Sequence, residues 1–347
     1  MSDFPTDVTV VIVAHNAVSY LGACLESLRR AGCPDRQMIV VDVASTDGLD
    51  AWLAREAPEA DRVRLDRNDG PGPGRNAGIL RAGTPYVLLM DADVQIEPDT
   101  VAILYEAMRR DPGVAVGSPV VVHAGRPDVI QYAGTGLHFI CEATNPYLDR
   151  PLAERGDDPR VIGVASTCAL LLDRRVALDV GLFDERYFIG KEDGDFTHRV
   201  TVAGYTILEP PQARVRHRTK PRGDWLFYYQ IRNRWHFLLK NYEWRTLVWL
   251  APALAVHEAL QFALLVARGH GLTWLKAVGG LVALLPTLPR DRALMRRIRR
   301  RRDTDVLVDG PMVVRADLAG GALGRLLDLY QGALTAYWRL LRRTVLR

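Results

Sequence analysis

Tyr86-Val87-Leu88-Leu89-Met90-Asp91-Ala92-Asp93 is an apolar run that ends on two carboxylates. A run of that length reads as a strand buried on both faces, and parallel α/β proteins gather ligands at the carboxyl ends of such strands. An Asp-x-Asp pair there supplies the one or two carboxylates that a hard divalent cation such as Mg or Mn requires, leaving its other positions to water and substrate phosphates. The competing reading is a turn capping the next helix, because Glu97-Pro98-Asp99 follows closely and Asp is a good cap.

Three other groups carry possible chemistry. Asp42 ends a second apolar run and precedes Ser45-Thr46-Asp47-Gly48. A carboxylate at that strand end can accept hydrogen bonds from a nucleobase or ribose, and the cluster serves equally well as a turn. In Gly70-Pro71-Gly72-Pro73-Gly74-Arg75-Asn76-Ala77-Gly78, the glycines at 72 and 74 with Ala77 fit a loose dinucleotide fingerprint, with acids about 20 residues on. The fingerprint belongs at a first strand–helix turn, whereas this is the third, and the two prolines remove amides that would face phosphate. A helix N-terminus beside Arg75 still attracts a donor phosphate.

The third group is Glu192-Asp193, with His217 following Val215-Arg216. Acids are favoured in a first helical turn, so the pair has a structural reading. It also has a chemical one, because a carboxylate in reach of a sugar hydroxyl can take its proton as the hydroxyl attacks. A neutral imidazole at 217 could complete a metal shell or contact a diphosphate, and a lone His also fits a structural role.

The elements that must position these groups alternate. Strands are expected at Val8–Ala14, Met38–Val43, 63–65 and 86–90, and helices at 20–30, 75–82 and 98–109. This rhythm predicts an α/β fold with a largely parallel sheet flanked by helices. Residues 114–172 lose the rhythm and read as shorter strands and loops, where such folds place the parts that select an acceptor.

Composition bounds the class. With 48% apolar and 25% charged residues over 347, the chain folds around a sizeable core. The net charge of +4 is unevenly placed, since residues 290–347 hold fourteen basic against six acidic side chains, +8, and leave −4 on the rest. Cys24, Cys33, Cys141 and Cys168 show neither metal nor redox spacing and read as buried thiols of a reducing compartment. Residues 1–7 lack the basic start and apolar core of a signal peptide, so the catalytic part is expected in the cytoplasm.

From residue 247 the texture changes. Segments 247–266 and 272–288 are strongly apolar, the first interrupted by His257, Glu258 and Gln261, the second by Lys276. Membrane insertion or re-entrant burial, an interfacial hairpin and a core helix pair all fit them. The run Arg296-Arg297-Ile298-Arg299-Arg300-Arg301-Arg302 suits anionic headgroups, with a solvated helix or nucleic-acid binding as alternatives. Its place after an apolar hairpin favours the membrane and no nucleic acid. Residues 323–347 read as an amphipathic helix presenting Leu327, Tyr330, Leu334 and Leu341 against Arg325, Arg339, Arg342 and Arg343.

Taken in order, these pieces resemble family 2 glycosyltransferases of the GT-A fold, a Rossmann-like sheet flanked by helices. The matching residues are 10–16, Val40-Val41-Asp42, Ser45-Thr46-Asp47-Gly48, Asn68, Arg75-Asn76-Ala77-Gly78 and Asp91-Ala92-Asp93. They continue through Phe183-Asp184-Glu185, Glu192-Asp193, Asp195, Arg199, Gly204-Tyr205, His217, Tyr228-Tyr229 and Arg232-Asn233. Val43, where the family usually has Asn, and Gly190-Lys191, where an aromatic often precedes Glu-Asp, depart from the pattern.

The resemblance implies an inverting transfer from a UDP- or dTDP-sugar to a glycan or lipid-linked acceptor of a cell-surface polysaccharide, at the cytoplasmic face of the membrane. Asp42, Asn68, Arg75, Asn76 and Asp91 would bind the donor. Asp91, Asp93 and His217 would hold Mg or Mn, and Asp193 with Glu192 would be catalytic. The expected division is a catalytic domain over 1–242, an apolar membrane-associated hairpin over 243–289 and a basic amphipathic region over 290–347. The competing functions are a non-catalytic sugar-nucleotide scaffold and, on the Gly72–Ala77 match, an NAD-dependent oxidoreductase.

Overall fold

The computed structural model describes residues 4–219, 223–313 and 321–346. The first half follows the predicted alternation. It runs β1 (Val8–Ala14), α1 (Val18–Arg30), β2 (Met38–Val43), α2 (Leu49–Glu56), β3 (Asp61–Leu65), α3 (Pro71–Arg81) and β4 (Tyr86–Asp91), then β5 (Val94–Ile96) and α4 (Thr100–Arg110). Strands β1, β2 and β4 are buried on nearly every residue, as strands with helices on both faces must be. Alternate side chains of β1 serve opposite layers: Val11 and Val13 join the core on the α3 side, while Val10 and Ile12 join that of α1 and α4.

The middle of the chain breaks into β6 (Val114–Gly117), β7 (Val120–His123), β8 (Arg126–Tyr132), β9 (Gly136–His138), β10 (Ala143–Thr144), β11 (Arg160–Ile162) and β12 (Ala169–Asp173). Helices α5 (Arg174–Asp179) and α6 (Glu192–Val202) follow, with β13 (Thr206–Glu209) and β14 (Arg214–His217). The main sheet has the order β11-β13-β6-β12-β4-β1-β2-β3. It is mixed: β4, β1, β2 and β3 run parallel, whereas β12 is antiparallel to both β4 and β6. The stretches 114–122 and 161–172, each apolar in sequence, prove to be strand pairs broken between two sheets or two positions.

The glycine-rich stretch is the first turn of α3 rather than a loop before it, with Pro71 at a position where a proline's missing amide costs nothing. Its glycines set helix-to-sheet distance. A Cβ on Gly78 would lie 2.1 Å from Val11 Cγ1, and one on Gly74 2.9 Å from Val43 Cγ2. Packing therefore accounts for the fingerprint-like spacing.

The C-terminal third holds α7 (Leu226–Asn241), α8 (Trp244–Ala267), α9 (Gly271–Leu284), α10 (Leu288–Ile298), α11 (Asp303–Val306), β15 (Leu307–Val308) and α12 (Gly321–Thr344). It is woven back into the first two thirds. Strand β15 pairs with β9, and Trp338 of α12 is fully buried and stacked on Phe139 at 4.9 Å. Two expectations change here. The strip of α12 containing Leu334 and Leu341 faces the protein core, not lipid, while Leu326, Leu329 and Leu340 form a second strip that is exposed. The arginine run is also divided, because Arg299 binds Asp303 and Asn241 O, and Arg301 binds Gly204 O. The backbone amides of Arg300 and Arg301 donate to Val202 O, ending α6 on cationic residues as its dipole favours. Replacing Gly78 with alanine is expected to lower unfolding free energy by about 1–3 kcal/mol through overpacking against Val11, measured by urea denaturation.

Candidate active site

The carboxyl edge of the parallel strands gathers the predicted groups. Asp91 is the last residue of β4, its amide bonded to Cys168 O at 2.9 Å, and the amide of Ala92 donates to Val13 O. Helix α4 begins only at Thr100, after β5, so Asp91 and Asp93 do not cap it. Instead β5 leads directly from Asp93 into pairing with β14, in a register that sets Val94 opposite His217. That register brings His217 Nε2 to 3.6 Å from Asp93 Oδ1. His217 Nδ1 lies 3.0 Å from Gln131 Oε1 on β8, and Gln131 Nε2 donates to Thr219 at 2.9 Å. With Nδ1–H donating to Gln131, the lone pair of Nε2 is turned toward Asp93, the arrangement that second-shell partners give to metal-binding imidazoles.

Arg75 ties this edge to Asp193. It is buried to 2% exposure, donates from Nη2 to Asp91 Oδ1 at 2.9 Å and from Nη1 to Asp193 Oδ1 at 3.0 Å, and has Glu192 Oε1 3.9 Å from Nη1. Burial opposes its charge, but Asp91, Asp193 and Glu192 together hold it fully protonated. Burial also pushes the Asp91 carboxyl up, with Arg75 countering and Asp93 and Asp193 adding to the rise. Three carboxylates here face one guanidinium, with Asp93 close to Asp91, an excess of negative charge that a divalent cation would offset. By donor type and charge, Asp91, Asp93 and His217 are residues that could hold such an ion, although their ligand atoms are not gathered as closely as those of Asp184, His236 and Asp291.

Asp193 sits in the first turn of α6, with Glu192 as its first residue. Lys191 before them adopts a left-handed conformation, φ 74°, which turns the chain into the helix. Thr167, just before β12, donates both its amide, at 3.1 Å, and its hydroxyl to Asp193. The side chain of Asp193 is 30% exposed and that of Glu192 9%. Asp193 is thus the more exposed carboxylate of the two.

The other predicted donor-site residues are placed as follows. Asp42 at the end of β2 accepts Ser45 N at 2.8 Å and pairs with Arg64 of β3. Ser45 and Thr46 bond Asn16 after β1, and Asp47 accepts Val18 N of α1, so the turn cluster braces two strand ends against each other. Asn68 is exposed and accepts Gly70 N. Asn76 is buried, with its amide nitrogen donating to Phe183 O and Glu185 and its oxygen accepting Phe183 N. It anchors the 183–185 loop, and its hydrogen-bonding capacity is filled by that loop rather than turned to the cleft.

A second ionic cluster locks α6 to α7. Asp195 is fully buried among Arg199, Lys240 and Asn241, and Asp184 binds Arg186 and Lys240. Asp184, His236 and Asp291 bring three possible ligand atoms within 4.8 Å of one another, but Arg186 and Lys240 already neutralise those carboxylates. Burial alone would raise the carboxyls of Asp184 and Asp195, and the adjacent Lys240, Arg186 and Arg199 outweigh it, holding both well below the usual range. Their contribution to stability is present above the ordinary carboxyl value of 3.8 and is lost as pH falls further. Urea unfolding is expected to show stability falling from pH 5 to pH 3, with Asp184→Asn flattening that slope.

Gln131, Thr167 and Arg64 were not found by sequence reasoning. Each lies in a region without a motif, and only strand register brings it to the site.

Comparison with known proteins agrees with this geometry. Residues 9–176 match the model of "Glycosyl transferase family 2". The chain is 33% identical over 138 residues to the "Succinoglycan biosynthesis protein ExoO" of Rhizobium meliloti (strain 1021), covering 40% of this chain and 38% of that one. It is 28% identical over 234 residues to the "N-acetylglucosaminyl-diphospho-decaprenol L-rhamnosyltransferase" of Mycobacterium tuberculosis (strain ATCC 25618 / H37Rv), covering 61% of this chain and 76% of the relative. Among solved structures, the "Mannosyltransferase PcManGT from Pyrobaculum calidifontis in complex with GDP-Man and Mn2+" superposes with a TM-score of 0.51 at 17% identity, over 99% of this chain and 89% of that one. The expected sheet flanked by helices is thereby borne out, and the resemblance to family 2 glycosyltransferases, with the transferase class it implies, is borne out over residues 9–176, which match that family's model.

Proposed function

We propose that the protein transfers a sugar, with inversion, from a nucleoside-diphosphate donor to a hydroxyl of a glycan or lipid-linked acceptor in cell-surface polysaccharide synthesis. The observation that carries this reading is the guanidinium of Arg75. It bridges Asp91 of the metal motif and Asp193, 118 residues away in sequence, so the leaving-group side and the acceptor side of one reaction centre share a single buried cation.

Asp42 and Asn68 contact the nucleoside half of the donor, and Arg75 with Asn76 keeps the wall beneath it in place. Asp91, Asp93 and His217 hold Mg or Mn, which when bound compensates the charge developing on the departing diphosphate. Asp193, oriented by Thr167 and Arg75, accepts the proton of the acceptor hydroxyl as it attacks the anomeric carbon, while Glu192 keeps Arg75 charged. A UDP- or dTDP-linked donor and a lipid-linked acceptor are the proposed substrates, the latter prompted by the printed name of the mycobacterial relative.

The chain is proposed to work at the cytoplasmic face of the membrane, its catalytic part over 1–242 followed by the hairpin over 243–289 and the basic region over 290–347. Helices at Trp244–Ala267 and Gly271–Ile298 are long and apolar enough to cross a bilayer, with mean hydropathies of 1.6 and 1.4. The polar side chains that interrupt α8 face inward, to α7, α9 and α12. Val248, Val256, Leu272, Leu275 and the outer leucines of α12 face outward. This supports an interfacial hairpin that dips into one leaflet with the catalytic domain attached.

The test is nucleoside-diphosphate release from UDP-, dTDP- and GDP-sugars with detergent-purified protein and bacterial lipid extract, in Mg or Mn against EDTA. Metal-dependent release from one donor is expected, abolished by Asp93→Asn. Asp193→Asn should keep donor binding and lower transfer by about 10²–10⁴-fold, the usual worth of a general base. Undiminished transfer in that variant overturns the base assignment. Folded protein that turns over no donor with any acceptor favours the scaffold.

A further inference from the structure

Behind the base lies a buried cation that the reaction described so far does not use. Arg234 on α7 is fully buried, and its Nη2 pairs with Glu258 of α8. Glu258 also accepts the indole N–H groups of Trp235 and Trp274, so its carboxylate is filled. Arg234 Nε and Nη1 have no hydrogen-bond partner. On the same stretch of α8, His257 Nδ1 meets the Tyr330 hydroxyl of α12 at 2.9 Å, and His257 Nε2 is buried without a partner. The cluster also takes in Lys191, whose ammonium donates at 2.8 Å to Cys141 O and to Glu142. Arg234, His257, Lys191 and Glu142 lie within one another's electrostatic reach.

Two features give the cluster a ligand chemistry. Buried N–H groups without partners are rare and costly, and here they belong to a guanidinium whose planar fork matches phosphate oxygens. In the tautomer where the Tyr330 hydroxyl donates to His257 Nδ1, the ring hydrogen sits on Nε2, and the atoms left without a partner among the described residues, Arg234 Nε and Nη1 and His257 Nε2, are then all donors. A set of unengaged donors beside two cations is an anion site. Its position narrows the anion further. Lys191 directly precedes Glu192 and Asp193, while Glu258 and Tyr330 belong to the helices whose outer faces are apolar. The cluster therefore sits between the candidate base and the candidate lipid surface.

We infer that Arg234, with His257 and Lys191, binds the diphosphate that joins an acceptor sugar to its lipid. This rests on the transferase reading with a lipid-linked acceptor. The acceptor's hydroxyl then reaches Asp193, its diphosphate reaches Arg234, and its chain leaves along α8 and α12. Glu142 holds Lys191 until the incoming phosphate competes for it.

The experiment measures binding of farnesyl diphosphate to the full chain in detergent and EDTA, by quenching of tryptophan fluorescence, against farnesyl monophosphate, farnesol and inorganic pyrophosphate. Binding of dTDP and UDP with Mn is followed in parallel. Arg234→Lys keeps a cation for Glu258 and removes the two unengaged donor positions. It is expected to weaken farnesyl diphosphate at least tenfold and leave nucleotide binding unchanged, with farnesol at least tenfold weaker than farnesyl diphosphate on the wild type. Pyrophosphate binding as tightly as farnesyl diphosphate supports the anion site and identifies the free ion, not the lipid, as what it recognises. If Arg234→Lys does not fold, Lys191→Met should weaken farnesyl diphosphate at least threefold. Unchanged farnesyl diphosphate binding in the folded variant, farnesol binding as tightly as the diphosphate, or parallel loss of nucleotide binding each overturns the assignment. Arg234-dependent diphosphate binding in a protein that turns over no sugar nucleotide would uphold the site and sink the transferase reading.

Discussion

A single guanidinium buried among three carboxylates is the constraint around which the catalytic half is arranged. Arg75 needs Asp91 and Asp193 to remain charged away from water, and they need it to stay close to each other. Keeping that arginine at the base of the cleft requires α3 to lie almost in contact with the sheet, which the glycines at 74 and 78 permit against Val11, Val13 and Val43. Asn76, one residue on, fastens the same helix to the 183–185 loop, and that loop leads into α6. Helix, sheet and loop thus agree on one position for Asp193.

The second dependence is between α6 and α7. Asp195 and Asp184 share Lys240, Asn233 holds the carbonyls of Tyr187, Ile189 and Gly190, and Arg232 holds that of Arg186. These residues, which matched the family pattern without an evident chemical role, are the clamp that presents the first turn of α6. The clamp reaches the hairpin through α7, because Arg234 and Trp235 on that helix bind Glu258 of α8. Movement of α8 would thus be felt at the first turn of α6 through one helix.

Much of this was legible before any coordinates. The continuous apolar runs of β1, β2 and β4 and the carboxylates at their ends follow from periodicity and from where α/β sheets place ligands. What escaped was set by pairing rather than by local pattern. The approach of His217 to Asp93 depends on the register of β14 against β5, and Thr167 meets Asp193 because β12 inserts antiparallel between β4 and β6. In α12 the pattern revealed amphipathicity but not that the helix has two apolar strips. Within the Arg-rich stretch, Arg299 binds Asp303 and Asn241 O and Arg301 binds Gly204 O, partners that no local pattern announces.

Strand β15 carries a consequence for the order in which the fold is completed. It pairs Leu307 and Val308 with β9, whose turn leads into the residues that hold Lys191. During synthesis the parallel sheet, α6 and both apolar helices leave the ribosome before β15 does. The parallel sheet can therefore collapse early while β9 still lacks one of its two neighbours. A nascent chain released before residue 307 would hold the sheet and both apolar helices without that pairing. By chain order alone, the strand that braces the turn around Cys141 and Glu142 arrives only after α8 and α9 have emerged.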